Sequence, residues 1–182
     1  VDIVPDTQSF QKYKAVDVSP IDSLYSMPFR LKKEITIDFG EHLTGYFSFS
    51  VRSTGLAADG PLRFKLTFGE VPSEVAVSFD SYKEGLSRAW LQDEVVSVMY
   101  VPQTVTLPRR LAFRYIKIEL LGSSPYYDFN IHDMKCMAQT SAQNIPEELP
   151  QAVDPMIRKI DRVGLNTLKE CMQTVYEDGP KS

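Results

Sequence analysis

The sequence predicts a mainly β protein, an antiparallel β-sandwich followed by one long C-terminal α-helix. Two observations carry this prediction. Apolar and polar residues alternate at period two in several runs between residues 34 and 140, which is typical of strands with one buried face. After residue 153 the apolar residues recur at three- and four-residue steps, which is typical of an amphipathic helix.

Residues 1–33 are predicted to be a linker or a wrapping segment. Pro5, Pro20 and Pro28 interrupt every short apolar run, which disfavours helix interiors and central strands. One edge strand near Phe29 and Leu31 is the most that this segment is expected to contribute to a sheet.

The clearest strands lie between residues 34 and 70, where apolar residues alternate with polar ones. These apolar positions are Ile35, Ile37 and Phe39, then Phe47, Phe49 and Val51, then Leu62, Phe64, Leu66 and Phe68. The glycines that bracket residues 40–45 predict a turn, and the Gly- and Asp-containing residues 53–61 predict a loop. Consecutive strands with one wet face form an antiparallel sheet that needs a second layer.

The sandwich is predicted to continue to residue 140 through less regular strands. These are expected at residues 75–79, 90–101, 114–120 and 127–138, with either a strand pair or one long bent strand at residues 90–101. Residues 102–108, which begin and end with a proline, are expected to form a polar segment that connects two strands without belonging to either. In the last strand the apolar phase shifts between Ile131 and Met134, as one extra residue would cause, so a β-bulge is predicted at His132 and Asp133.

A linker is predicted at residues 141–153, which contain two prolines and little periodicity. The helix that follows occupies residues 154–182, with its apolar pattern running to Tyr176. Asp154 is the predicted cap and Pro155 the first-turn residue. A lone amphipathic helix either docks on the sandwich or begins a helical domain.

Composition limits the classes of partner. A net charge of −4 and a pI near 5.2 argue against a nucleic-acid binder. No apolar run approaches the roughly 18 residues of a membrane helix, so no membrane contact is expected. Cys136 and Cys171 are the two cysteines, and without a Cys/His cluster no zinc site, other metal site or cofactor is predicted. Reduced, packed thiols are the favoured interpretation, and a single disulfide stays open.

The histidines and the loop aromatics are the candidate functional side chains. His42 and His132 cannot be paired with a nucleophile from the sequence and are interpreted as surface residues. Four aromatic residues lie in or beside predicted loops, where they either stack on sugar rings or close the ends of the core. They are Tyr82, Trp90, Tyr126 and Tyr127.

The helical run from Gly164 to Lys181, which reads GLNTLKECMQTVYEDGPK, resembles the entry to the catalytic barrel of bacterial α-L-rhamnosidases, which are inverting glycoside hydrolases. Four upstream motifs resemble the concanavalin-like, jelly-roll β-sandwich that precedes the barrel in that family. They are Ile37-Asp38-Phe39-Gly40, Gly45-Tyr46, Phe68-Gly69-Glu70-Val71 and Phe113-Arg114-Tyr115-Ile116. By this resemblance, residues 154–182 contain the start of a truncated helical (α/α) barrel.

The resemblance implies a role for Asp178, which matches the family's first acidic residue and would help to hold the sugar. Ser182 departs from the arginine expected there. The positions of the general acid and the general base are both missing, and an inverting mechanism needs the two carboxylates. We therefore expect no catalytic residue and no hydrolase activity in this chain alone, although its parent protein is expected to be a rhamnosidase-like glycoside hydrolase.

The function implied is that of a non-catalytic sandwich module, which packs against the catalytic barrel and helps to shape its sugar site. Rhamnose-containing glycans are the implied ligands. Two locations in a bacterium stay open: the protein is either periplasmic or otherwise exported, or it is cytoplasmic. One alternative is a freestanding carbohydrate-binding module. The other is a structural interaction domain with an exposed apolar stripe on the helix, formed by Ile157, Ile160, Leu168, Met172 and Val175.

Overall fold

The computed structural model describes residues 1–83, 86–144 and 146–181. Its strands are β1 (Asp2–Pro5), β2 (Tyr13–Val16), β3 (Glu34–Thr54), β4 (Leu62–Gly69), β5 (Gln92–Val98), β6 (Gln103–Thr106), β7 (Leu111–Gly122) and β8 (Asp128–Ala138). Its α-helices are α1 (Asp22–Tyr25), α2 (Ser73–Ala76) and α3 (Pro155–Cys171). Short 3-10 helices occupy Phe10–Lys12, Phe29–Leu31 and Arg88–Trp90.

Strand β3 belongs to both layers of the sandwich. Its first part, as far as Gly45, pairs with β7, and its second part pairs with β8 on one edge and β6 on the other. The strand order is β5-β4-β7-β3-β6, with β8 on the remaining edge of β3, and every pair is antiparallel. The long strand carries the chain from one layer into the other, and the predicted antiparallel sandwich with a C-terminal helix is confirmed.

Phenylalanine side chains fill the space between the layers. Phe47 and Phe49 of β3 contact Phe68 and Phe64 of β4, with ring centroids 5.7 and 6.0 Å apart. Both pairs meet edge to face, the arrangement that the aromatic quadrupole favours. All four side chains are buried. The faces that the alternation predicts to point inward therefore form the core.

The turn predicted at residues 40–45 is wrong, because β3 continues through it. Asp38 pairs with Tyr115 and Leu43 pairs with Phe113, so a bulge of four residues in β3, 39–42, stands opposite one residue of β7. Gly40 has a φ of +82°, a conformation that glycine adopts without strain. Glycine is a signal for positive φ in turns and in bulges alike, which is why the sequence alone misassigned this segment.

The N-terminal segment is more ordered than predicted. β1 and β2 form an antiparallel hairpin, and the expected edge strand near Phe29 and Leu31 is instead a 3-10 helix. Phe29 is buried and its ring lies 5.9 Å from those of Phe64 and Phe129. The segment therefore joins the core through Phe29 and Leu24, and Tyr25 and Met27 pack against that core.

Two other predictions need correction between β4 and β7, and a third is narrowed. Residues 75–79, predicted as a strand, begin within the short helix α2, where Val75 is buried. Residues 90–101, predicted to form a strand pair or one long bent strand, contain the single strand β5. The predicted connecting segment at residues 102–108 contains β6, which pairs with β3. Runs of four residues carry too little periodicity to separate a helical turn from a strand.

The predicted bulge in the last strand is confirmed. Ser48 of β3 pairs with Lys135 and Ser50 pairs with His132, so β8 has one residue more than β3 in this interval. Asp133 has a φ of +51°. The phase of the apolar pattern therefore located a backbone irregularity to within one residue.

The predicted cap of α3 is also confirmed. The side chain of Asp154 accepts hydrogen bonds from the backbone N–H groups of Met156 (2.8 Å) and Ile157 (3.4 Å). The helix ends at Cys171, earlier than the predicted Tyr176, which instead forms an isolated bridge with Met172. Residue 145 of the predicted linker and Ser182 lie outside the described residues.

Candidate functional site

We call residues 172–181, which follow α3, the tail. The end of α3 and the tail lie against the sandwich at the bulge of β3 and the end of β4. Five ionisable side chains meet there, and we call them the charged cluster. They are His42, Glu70, Glu74, Glu170 and Lys181.

His42 stands in the bulge of β3 between two carboxylates. Its Nδ1 contacts Oε2 of Glu170 on α3, and its Nε2 lies 2.9 Å from Oε1 of Glu70, which follows β4. Arg114 of β7 stabilises the start of the bulge. Its Nε and Nη2 donate hydrogen bonds of 2.8 Å to the two carboxylate oxygens of Asp38. The backbone irregularity in β3 therefore brings the imidazole within reach of both the helix and the neighbouring strand.

Lys181 completes the charged cluster from the tail. Its Nζ lies 2.6 Å from Oε2 of Glu74 and 3.6 Å from Oε2 of Glu70. The side chains of Lys181 and Glu74 are 7% and 4% exposed, so this ion pair is removed from water. Oε2 of Glu74 also accepts a hydrogen bond of 2.8 Å from the backbone N–H of Glu70. Each charge has an opposite partner, as buried charges need.

The pKa values follow from this arrangement. Burial lowers the pKa of His42, but hydrogen bonds to Glu170 and Glu70 outweigh it and raise the pKa from 6.5 to about 9. Burial raises the pKa of Glu70, but the hydrogen bond from His42 and the charge of Lys181 outweigh it, so the pKa falls below its usual value. His42 is therefore an imidazolium at neutral pH, instead of the simple surface residue that the sequence predicts.

Further contacts hold the tail beside the charged cluster. Nη2 of Arg110 lies 2.6 Å from both carboxylate oxygens of Glu177. The backbone N–H of Ser141 donates to the carbonyl of Met172 at 2.6 Å. The Gln173 side chain, which is buried, donates to the carbonyl of residue 139 at 2.9 Å. The tail is thus attached to the sandwich along most of its length.

Asp178, the residue that the resemblance marks for sugar binding, is exposed. It lies between Glu177, which is bound by Arg110, and Lys181, which is bound by Glu74. The backbone on both sides of Asp178 is therefore fixed while its carboxylate faces solvent.

The predicted aromatic residues separate into two groups, and the first lies where β4 ends. Tyr82 is 4% exposed, and its hydroxyl donates to Oε1 of Gln11 at 3.3 Å. Trp90 is 46% exposed and precedes β5, in which Gln92 pairs with Phe68 near the end of β4. The ring of Tyr82 is inside the fold, and that of Trp90 is half open to solvent.

The second group lies where β4 begins. Tyr127 is 2% exposed, and its hydroxyl donates to the carbonyl of Gly60 at 2.8 Å. Tyr126 is 74% exposed. Trp90 and Tyr126 therefore stand at opposite ends of β4 and do not form one common platform. Sugar stacking by these residues stays a prediction.

The cavities around the described residues differ in size and position. The one beside the charged cluster measures about 80 Å³ and is lined by His42, Thr44, Thr140 and Glu170, among others. This is well below the roughly 300 Å³ of a small-molecule pocket. A groove of about 640 Å³ separates the N-terminal segment from β3, and a third cavity of about 400 Å³ lies beside Met99 and Gly122.

The thiols do not form a reactive centre. Cys136 and Cys171 are free cysteines, as the favoured interpretation predicts. Burial and the negative charge of Glu170 raise the pKa of Cys136 to about 11, so its thiol is protonated at neutral pH.

Within residues 1–83, 86–144 and 146–181, no group of three or more His, Cys, Asp or Glu residues is arranged to bind a metal ion. None of the helices in that part of the chain has the length and apolar character needed to cross a membrane.

The charged cluster could not be found from the sequence. His42 and Glu170 are 128 residues apart, and Glu74 and Lys181 are 107 residues apart. No local spacing connects residues at such separations. The only related signal was the pair of glycines around residues 40–45, which was interpreted as a turn.

A comparison with protein families matched residues 1–138 to the glycosyl hydrolase family 78 alpha-rhamnosidase N-terminal domain. A search of curated proteins gave no match.

Two solved structures resemble this fold. The first, a rhamnosidase from Klebsiella oxytoca with rhamnose bound, is 35% identical and has a TM-score of 0.87; the match covers 99% of this chain and 35% of that one. The second, a family 78 rhamnosidase of Bacillus sp. GL1, is 18% identical with a TM-score of 0.57, and the match covers 81% of this chain and 14% of that one. The chain therefore spans about a third of the Klebsiella protein, and the Bacillus likeness concerns the fold alone.

Proposed function

The chain belongs to the family of glycosyl hydrolase family 78 alpha-rhamnosidase N-terminal domains, and we propose that it acts as a non-catalytic module of a rhamnosidase-like glycoside hydrolase. In this role the sandwich packs against a catalytic helical barrel and helps to shape the sugar site of that barrel. Rhamnose-containing glycans are the proposed substrates of the whole protein.

The observation that carries the proposal is the uncovered apolar face of α3. None of the seventeen residues of α3, all of them described, is buried. Five of its apolar side chains are between 53% and 65% exposed, and they are Met156, Ile157, Ile160, Val163 and Leu168. At the helical period these positions share one side of α3. An apolar stripe of this kind needs a covering partner, and a neighbouring helix of a barrel supplies one.

The position of the tail supports the second half of the proposal. Asp178 is exposed, and its flanking residues are fixed to the sandwich by ion pairs. We propose that Asp178 contributes to sugar binding at the face where the barrel meets the sandwich. The roughly 80 Å³ cavity beside the charged cluster cannot hold a sugar, so the remaining walls of the site would come from the barrel.

The proposal is tested by assaying hydrolysis of an aryl α-L-rhamnoside with this chain and with the product of the complete gene. We expect turnover by the complete product and none by the 182-residue chain. Turnover that remains with the chain after repurification, and that disappears on unfolding, would contradict the non-catalytic assignment.

The role of α3 is tested in the complete gene product with Ile160→Asp and the matched control Arg162→Asp. Ile160 is 65% exposed and lies in the apolar stripe, whereas Arg162 is exposed on the other side of the helix. A charge buried without a partner is strongly destabilising, so Ile160→Asp should lower the melting temperature much more than the control. Equal effects of the two variants would show that no partner covers the stripe.

A freestanding carbohydrate-binding module is the second candidate, favoured by the exposure of Trp90 and Tyr126. Each ring offers a face on which a sugar can stack. Trp90→Ala and Tyr126→Ala should then each reduce affinity for rhamnose-containing glycans without changing the melting temperature. Unchanged glycan binding in both variants would contradict this second candidate and leave the role as a module of a hydrolase.

A further inference from the structure

The charged cluster joins elements that are far apart in the chain. His42 comes from β3, Glu70 and Glu74 follow β4, Glu170 ends α3, and Lys181 belongs to the tail. The tail contributes few apolar contacts, since Val175 and Tyr176 are 68% and 82% exposed. Hydrogen bonds and ion pairs therefore provide most of its attachment to the sandwich.

We propose that the charged cluster is an electrostatic latch, which fixes the end of α3 and the tail that follows it in one orientation on the sandwich and releases them when the positive charge of His42 or Lys181 is lost. This inference concerns the described chain alone and does not rest on the proposed rhamnosidase role. The latch would set the orientation of α3 and the tail relative to the sandwich.

The chemistry of His42 supports the latch. Both ring nitrogens face carboxylate oxygens, one from Glu170 and one from Glu70. A neutral imidazole carries one N–H donor and one acceptor, whereas carboxylates only accept, so a neutral ring satisfies one of these contacts and opposes the other. Only the imidazolium donates to both. Loss of one proton would therefore break the link between the bulge of β3 and either α3 or the end of β4.

The balance of charge points the same way. Protonated His42 and Lys181 stand against the carboxylates of Glu70, Glu74 and Glu170. Without the charge of His42, one buried ammonium remains to compensate these carboxylates. The other ionisable groups around the latch are Glu41 on β3, Cys136 on β8, Lys169 and Cys171 on α3, Arg110 before β7, and Glu177 and Asp178 in the tail. Glu177 is already paired with Arg110, so it does not replace a lost partner.

Hydrogen exchange of the tail amides gives a direct test in the 182-residue chain. The N–H of Glu177 donates to the carbonyl of Cys171 at 3.0 Å, and the N–H of Gln173 donates to that of Val175 at 3.2 Å. At pH 7, His42→Gln should lower the protection factors of both amides at least tenfold. The Leu107 amide, which donates to Phe47 within the sandwich, should keep its protection and so reports on the fold.

The matched control is His132→Gln. His132 is the other histidine and pairs with Asp133 at 2.8 Å on β8, outside the latch. It should leave the tail amides unchanged. Lys181→Met removes the other positive charge and should loosen the tail as His42→Gln does, and it decides the question if His42→Gln fails to fold. Tail protection equal to that of the unmodified chain in Lys181→Met, or in a folded His42→Gln variant, would overturn the latch.

Discussion

Gly45 occupies the point where β3 passes from its pairing with β7 to its pairing with β8. It stands opposite Leu111 on one edge and Ala138 on the other. A Cβ atom built on Gly45 would lie 2.2 Å from the carbonyl oxygen of Met137 and 2.8 Å from the Cα of Ala138. These are backbone atoms of the neighbouring strand, so no side-chain rotation relieves the contact. Gly45→Ala should therefore separate β3 from β8.

The cost can be worked out from the overlap. Carbon–oxygen contacts below about 3 Å are strongly repulsive, so the strands must move apart by close to 1 Å in a packed interior. Overpacking of this kind costs about 1–3 kcal/mol. For a chain of this length each kcal/mol corresponds to about 2–4 °C, so Gly45→Ala should lower the melting temperature by roughly 2–12 °C.

Gly164→Ala provides the matched control. Gly164 is exposed in the middle of α3, and a Cβ built on it meets no atom within 4 Å. Replacing a glycine in a helix interior by alanine stabilises the helix by about 0.5–1 kcal/mol. The same substitution should therefore have opposite signs at the two sites, measured by thermal unfolding followed by circular dichroism. A Gly45→Ala variant that melts within 1 °C of the unmodified chain would refute the backbone overlap.

Three further predictions concern the cap, the core and the charged cluster. Asp154→Ala removes the N-cap of α3 and should lower helix stability by about 1 kcal/mol, seen as a weaker helical dichroism signal; an unchanged signal would argue against the cap. Phe64→Ala leaves a cavity among buried rings and should cost about 3–5 kcal/mol in urea unfolding, and a loss below 1 kcal/mol would mean that the site collapses. The pKa of His42 is about 9 in the folded chain, against 6.5 for an unperturbed histidine. Protonated His42 therefore adds about 3 kcal/mol at most to the free energy of unfolding. This contribution is complete below pH 6.5 and disappears as the pH rises through 9. Melting temperatures measured from pH 6 to pH 10 should show this decline in the unmodified chain and not in His42→Gln, and parallel curves would contradict it.

The sequence was informative wherever a local pattern had a structural period. Alternation identified Phe47, Phe49, Phe64 and Phe68 as inward-facing, and they form the core between the layers. The phase shift before Met134 located the bulge of β8. Asp154 followed by Pro155 identified the start of α3. In each case neighbours within a few residues determine the conformation, so the information is contained in a short window.

Local patterns failed where the same residue type serves two conformations. Gly40 signals positive φ, but it does not distinguish a turn between two strands from a bulge within one. That difference depends on β7, because the pairing of Asp38 and Leu43 with successive parts of β7 keeps β3 continuous. Phe29 was similarly ambiguous, and the other aromatic rings of the core decided its burial.

By itself the sequence determined the class of fold, the inward faces of the central strands, the bulge of β8 and the cap of α3. Only the tertiary structure decided that His42, Glu70, Glu74, Glu170 and Lys181 form one charged cluster, and that Trp90 and Tyr126 stand at opposite ends of a strand. Periodicity records which side of an element a residue occupies and not which distant element packs there. Ion pairs between residues more than 100 positions apart exist only once the layers have closed.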